Sequence, residues 1–206
     1  MSGQLFFEKE TDGLLASVKD LLVGEEQAIE EDQVLRVMYA AEIPSFEPTM
    51  DIAIVRQRLI NVFEPLVRLD RDLNVRPALA LSWGMVDDLT WNFSLRAGVK
   101  FHGGIPFDSK DVLASIDRAM KFEASEIKGI LTSIEKVEIV NDLTVRIKTY
   151  KPDPLLLQRL SSVLVFPSEL AGYEIIPAIG TGPYKLVDWR PGSETVFERF
   201  GDYWGP

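Results

Sequence analysis

The chain has no cysteine at all. Disulfides, thiolate metal sites and a cysteine nucleophile are therefore excluded, although the compartment is not fixed by that absence. It has a single histidine, His102. A multi-histidine metal site is excluded, and a Ser-His-Asp triad would have to be built around this one residue. No apolar run is long enough to span a bilayer. The opening MSGQLFFEKETDG lacks a basic n-region, a continuous apolar stretch and a small-residue cleavage site. The expectation is that an export signal has been removed, or that export does not use that route. Positive charge is also scarce. Lys and Arg total 22 against 32 Asp and Glu, a net charge of −10. That balance argues against nucleic acid or an anionic membrane surface as the main partner. It permits a cationic or zwitterionic ligand.

What is present suits a globular protein. Hydrophobic residues make up 46% of the 206 and charged residues 26%, enough to bury a core and too apolar for global disorder. Residues 1–33 read as an N-terminal extension. Leu14, Leu15, Val18, Leu21 and Leu22 fall at helical spacing, and an acidic run GEEQAIEED follows. QVLRVMYA, residues 33–40, reads as a buried strand. The loop EIPSFEPTMD follows, with Pro44 and Pro48 blocking helix. A helical pattern then runs from Ile52 to Leu66. Its apolar face is Ile52, Val55, Leu59, Val62, Phe63 and Leu66, with Arg56, Gln57 and Arg58 turned away.

Residues 67–83 read as strand, turn, strand. In residues 89–96, Leu89, Trp91, Phe93 and Leu95 alternate with Thr90, Asn92, Ser94 and Arg96, so one face is buried and Trp91 belongs to the core. After a glycine-bearing loop, Asp108 or Ser109 caps a helix whose first turn carries Asp111 and whose inward stripe is Val112, Ile116, Ala119 and Met120. Residues 134–149 form a hairpin signature about Asn141-Asp142. Residues 153–162 read as a short helix, VLVFP as a buried strand, and residues 184–200 as a second hairpin around RPGS. The fold class is α+β.

Four motifs lie in order along residues 34–206. They are PSFEP at 44–48, NVFEPLVRLDRDLNVRPALALSW at 61–83, DDLTWNFSLRAGVKFHGGIPFDSKDVLASIDR at 87–118 and GTGPYKLVDWRPGSETVFERFGDYWG at 180–205. Together they resemble the N-terminal portion of the family-5 bacterial extracellular solute-binding proteins, the oligopeptide, dipeptide and nickel type. Phe46 and Glu47 depart from that family's Ser-Leu-Asp-Pro element.

The resemblance implies a periplasmic-binding-protein type II-like fold. It divides the chain into a partial first lobe at 34–63 and 162–206 and an inserted α+β domain at 64–161. The second lobe is expected to be missing. Its absence suggests that a cleft ligand is held weakly and that Val163, Leu164 and Phe166 are left exposed for self-association. The implied function is capture of a small solute, foremost a peptide, outside the cytoplasm for delivery to a membrane ABC permease. No cofactor, metal or catalytic residue is implied.

The same resemblance places Thr49, Met50, Asp51 and Ile52 along the ligand cleft. Glu64, just before Pro65, has two readings: it reaches the cleft, or it accepts hydrogen bonds at the end of its helix. His102 sits among Gly98, Gly103 and Gly104 as a loop histidine bonding to backbone. Gly180 and Gly182 mark a place where the backbone runs close to another segment. Trp83, Trp91, Trp189 and Trp204 read as packing residues. Two other functions compete: a solute-binding-like sensor or protein-interaction module acting through residues 1–33, and a hydrolase built around His102. The hydrolase has no nucleophile elbow or metal motif behind it.

Overall fold

The computed structural model describes residues 35–38, 42–51 and 53–205. The chain divides into two compact units, Met1–Tyr39 and Ala40–Pro206. In the first, residues 35–38 carry no regular secondary structure, and Leu35 and Met38 are 86% and 97% exposed. The buried strand expected over 33–40 is therefore not found among them. An apolar run on both strand faces needs neighbours in a sheet, and no described strand pairs with this one. Val34 and Tyr39 lie outside the described residues, as does the helix expected on Leu14, Leu15, Val18, Leu21 and Leu22.

The second unit opens with helix α1, Ala53–Val62. It is shorter than the pattern Ile52–Leu66 suggested. The residue before a proline is pushed from helical to extended backbone, and Glu64 precedes Pro65. The pair Glu64–Pro65 is accordingly a short strand, β1. Arg58 does not turn away as expected. It is 7% exposed.

A hairpin of β2 (Val67–Leu69) and β3 (Val75–Pro77) follows. Then comes a four-stranded antiparallel sheet made of β4 (Ala80–Asp87), β5 (Thr90–Leu95), β6 (Ile134–Asn141) and β7 (Thr144–Thr149), in the spatial order β4-β5-β7-β6. The hairpin turn between β6 and β7 is where Asn141-Asp142 predicted it. The Asn141 side-chain oxygen accepts the Leu143 N–H at 3.0 Å.

Helix α2, Ser109–Lys121, lies against β6 and β7. Asp108 is its N-cap. The Asp108 carboxylate accepts the Lys110 N–H at 2.6 Å, and Asp111 reaches back to accept the Asp108 N–H at 2.8 Å. This is a capping box with Asp at the third position, and it leaves Val112, Ile116 and Ala119 buried. Helix α3 (Leu156–Leu160), β8 (Leu164–Val165) and the β9–β10 hairpin (Tyr184–Arg190 and Glu194–Arg199) complete the unit.

Two hydrophobic clusters form. One holds Leu79, Phe93, Phe101, Ile116 and Ile147, beside the four-stranded sheet. The other holds Ile43, Phe46, Leu59, Phe63 and Phe166. Burial of each such side chain contributes about 1.5–3 kcal/mol. Strand β8 stands between them, and its alternation explains why. Val163 and Val165 enter the first cluster, while Leu164 and Phe166 enter the second. Val163, Leu164 and Phe166 are thus buried, which overturns the expectation that they form an exposed self-association surface. Trp91 also departs from expectation, being half-buried where Phe93 beside it is fully enclosed. It packs against the first cluster without being enclosed by it.

Candidate functional site

The loop that carries Thr49, Met50 and Asp51 is held by a buried ion pair. Glu47 and Arg118 have side chains only 6% and 8% exposed. The carboxylate takes two guanidinium bonds, from Nε at 2.9 Å and from a terminal nitrogen at 2.8 Å. It also accepts the Thr49 hydroxyl at 2.9 Å and the Ile176 N–H at 3.1 Å. Arg118 uses its other donors on the carbonyls of Tyr173 and Glu174, at 3.0 and 2.8 Å. Its guanidinium lies 4.2 Å from the centre of the Phe122 ring. Such two-pronged geometry is the strong form of an Arg–carboxylate bond.

Thr49 is therefore buried with its hydroxyl committed inward. The loop's outer side is pinned by Glu126, which accepts the Asp51 N–H at 2.6 Å while its own N–H donates to the Thr49 carbonyl at 3.2 Å. Asp51 is exposed and Met50 half-buried. The Asp51 carboxylate meets Arg56 at 3.5 Å, and Arg56 also donates to the carbonyls of Ser161 and Ser162. The fourth residue of the expected segment, Ile52, lies outside the described residues.

Glu64 is not beside the loop's ion pair. Its carboxylate accepts the Thr181 hydroxyl at 2.9 Å, the Trp204 indole N–H at 2.7 Å and the Tyr203 hydroxyl at 3.1 Å. Neither reading of Glu64 included these donors, which come from residues over 100 positions later. Burial raises the Glu64 carboxyl above its ordinary value, and the three donors oppose that rise. Tyr203 is pushed up to about 12, by burial first and then by the Glu64 charge. Arg96 stacks over the Trp204 ring at 4.0 Å.

His102 is bound to backbone through both ring nitrogens. The Gly180 N–H donates to Nδ1 at 3.4 Å, and Nε2 lies 3.0 Å from the Gly182 carbonyl. This pattern assigns the neutral tautomer with the proton on Nε2. Phe200 packs edge-on at 4.9 Å. Burial pushes the imidazole below its ordinary value of 6.5, against the pull of the Gly182 and Ala178 carbonyls. The sign follows. Below about 6.5 the unfolded chain binds a proton that the folded chain resists, so folding stability falls as pH drops through that region. His102→Gln should flatten this slope relative to the native chain in urea titrations between pH 7.5 and 5.5. Equal slopes in both proteins would remove His102 as the source.

The sequence pattern brought the 49–51 segment and Glu64 to notice but missed Glu47 and Arg118. Glu47 read as a departure from a motif, and an arginine on an amphipathic helix is ordinarily solvated. Their pairing has no local signature.

A family model described as bacterial extracellular solute-binding proteins, family 5 Middle, matches residues 74–206. The glutathione-binding protein GsiB of Salmonella paratyphi A is 32% identical over 151 residues, which cover 69% of this chain and 29% of that protein. Among solved structures, NikZ from Campylobacter jejuni in complex with Ni(L-His) is 31% identical, with a TM-score of 0.71, over 80% of this chain and 35% of that one. The ABC transporter-associated periplasmic binding protein DppA from Helicobacter pylori, in complex with the peptide STSA, is 27% identical with a TM-score of 0.71. The match covers 79% of this chain and 38% of that one. The chain thus spans under a third of the length of the curated relatives it matches.

Proposed function

The chain belongs to the family-5 bacterial extracellular solute-binding proteins, and from that premise we propose that it serves as part of the substrate-binding component of an ABC importer. The family consists of transport binding proteins, not enzymes. In this reading the chain works outside the cytoplasm and captures a small solute, a peptide, for delivery to a membrane permease. The observation that carries the peptide class is the chemistry shared by the relatives' ligands. Glutathione, the peptide STSA and the histidine of Ni(L-His) all present amino-acid groups. Capture of such a molecule needs no covalent step. It needs apolar enclosure and paired charges.

We assign the solute-facing role to the 49–52 segment. The support is that the Glu47–Arg118 pair holds its inner side rigid while Asp51 remains exposed. Asp51 is the group suited to a ligand ammonium, with Met50 beside it as apolar contact and Ile52 next in sequence. Thr49 and Glu64 have their side-chain oxygens committed to internal side-chain partners, so in this reading they position the cleft rather than touch the solute with those oxygens. For the division into a lobe at 34–63 and 162–206 and an inserted domain at 64–161, the support begins at Ile43: one cluster is drawn mainly from residues 43–63 and 164–176, the other mainly from residues 66–160. The partner set in this proposal is the solute, the permease and a second copy of the chain.

NMR titration with short peptides tests the site. Peptides with a free amino terminus should shift the backbone amides of Met50 and Asp51. Asp51→Asn should weaken that response about tenfold, the loss of roughly 1.4 kcal/mol expected for one charge-assisted bond. Peptide shifts confined to other regions, or an Asp51→Asn response equal to the native one, would sink the assignment.

A further inference from the structure

The two outer strands of the four-stranded sheet are not alike. Strand β6 carries Glu135, Lys136 and Glu138, with Lys136 paired to Glu138 at 2.7 Å and Glu135 to Lys148 at 3.0 Å. Charges on an outer strand oppose the addition of another strand, because pairing would strip their water. Strand β4 reads ALSWGMVD and has no charge and no proline from Ala80 through Val86. Among the described residues it pairs only with β5. Leu81, Met85 and Val86 are 49%, 53% and 56% exposed. The register with β5 shifts at Leu81 and at Val86, so a regular stretch, Ser82–Met85, lies between two exposed apolar residues.

Glycine in the middle of that stretch is the second observation. A glycine inside a strand weakens it unless another backbone must approach closely. Among the described residues, no other segment does so at Gly84. A Cβ built there meets nothing within 4 Å, and its backbone angle is not in the left-handed region. Internal packing therefore gives no reason for glycine at this position, while a strand arriving from outside would.

We propose that β4 is a docking strand for the β4 of a second copy, paired antiparallel about Gly84. The proposal rests on the self-association put forward above and gives it a surface. A two-fold axis perpendicular to the sheet sets residues of the same face opposite each other. With the axis at Gly84, Trp83 of one copy lies beside Met85 of the other, and Ser82 beside Val86. Trp83 and Met85 share the face that β5 presents through Phe93 and Trp91. The aromatic–thioether contacts formed in this way are favourable, and no charge lies within the paired stretch Ser82–Val86. The two four-stranded sheets become one of eight. A second copy is the occupant this edge favours because one uncharged strand supplies both halves of the pair.

The absence of cysteine makes the test clean. Gly84→Cys places one thiol on the proposed axis, in open space, and Lys136→Cys places one on the opposite outer strand. The expected result has three parts. The native chain shows a concentration-dependent dimer in sedimentation velocity. Oxidation, or a short bis-maleimide, converts Gly84→Cys to a covalent dimer and leaves Lys136→Cys monomeric. Met85→Lys, with an unchanged unfolding midpoint, loses the dimer. A native chain that stays monomeric up to its solubility limit overturns both this proposal and the self-association beneath it. A dimer that persists in Met85→Lys, or that cross-links equally at Lys136→Cys, overturns the β4 surface while leaving self-association standing. A monomer whose Ser82–Val86 amides respond to an added peptide overturns the second copy as occupant.

Discussion

Gly180→Ala should destabilise the fold by about 4 kcal/mol or more, a loss large enough to prevent recovery of folded protein. A Cβ at Gly180 would lie 2.0 Å from the Val62 carbonyl oxygen, 2.7 Å from its carbon and 2.8 Å from the Phe63 Cα. All three are backbone atoms at the end of α1, and none can rotate away. Gly182 is similarly placed, with a Cβ 2.5 Å from the Asn61 oxygen. The closeness is enforced by hydrogen bonds. The Gly182 N–H donates to the Val62 carbonyl at 2.8 Å, and the Gly180 carbonyl accepts the His102 N–H at 2.8 Å. Moving the 180–182 segment outward to relieve the clash would break both and would also pull Thr181 from Glu64. The control is Gly172→Ala, where a new Cβ meets nothing within 4 Å. It should change stability by no more than about 0.5 kcal/mol. Urea unfolding of both variants decides the matter, and similar midpoints for the two would show that the segment yields where the structure says it is clamped.

The second large effect is expected at Arg118. Replacing it with Met keeps much of the side-chain volume but leaves the Glu47 carboxylate enclosed without its cation. Breaking a buried pair from one side costs about 3–5 kcal/mol, because the remaining charge has lost its compensation. The carbonyls of Tyr173 and Glu174 lose a donor at the same time. The double variant Glu47→Leu/Arg118→Met should recover part of that loss, since no charge is then buried, although Thr49 and Ile176 lose their acceptor. A double variant less stable than Arg118→Met alone would show that the remaining partners of Glu47 outweigh the unpaired charge. The single variant should also loosen the 49–51 loop, visible as faster amide exchange at Met50 and Asp51 than in the β6–β7 hairpin.

Both effects bear on how much of this protein was legible before its structure. Gly180 and Gly182 were readable as a close backbone approach because glycine in a dense apolar context has few other physical reasons. The capped helix at 109–121, the β6–β7 turn and the β9–β10 hairpin were readable for the same kind of reason. Each depends on residues within a few positions of one another, and periodicity or capping chemistry writes such features locally. Family membership was readable because four motifs occur in the right order. Where local reading misjudged which side chains are buried, the missing information lay in the packing of distant segments. Trp91 alternates as a core residue, yet it is only partly buried against the first cluster, and alternation does not reveal how far the cluster extends. Val163 and Leu164 looked available for a surface, yet β8 pairs with β1 and sends alternate side chains into two different clusters.

The candidate site divides along the same line. The amino-acid order by itself determined the class of fold, the family, the exclusion of cysteine chemistry and of a multi-histidine centre, and the segment 49–52 as a place to look for a ligand. Only the tertiary structure decided that Glu47 meets Arg118 across 71 positions, and that Glu64 meets Thr181, Tyr203 and Trp204 across 117, 139 and 140. The physical reason is that a charged side chain, on a helix like Arg118, in a loop like Glu47 or in a strand like Glu64, costs nothing while it faces water, so its residue type is compatible with an exposed face and with a buried pair alike. Which of the two occurs depends on what the rest of the chain brings against it, and that is a property of topology.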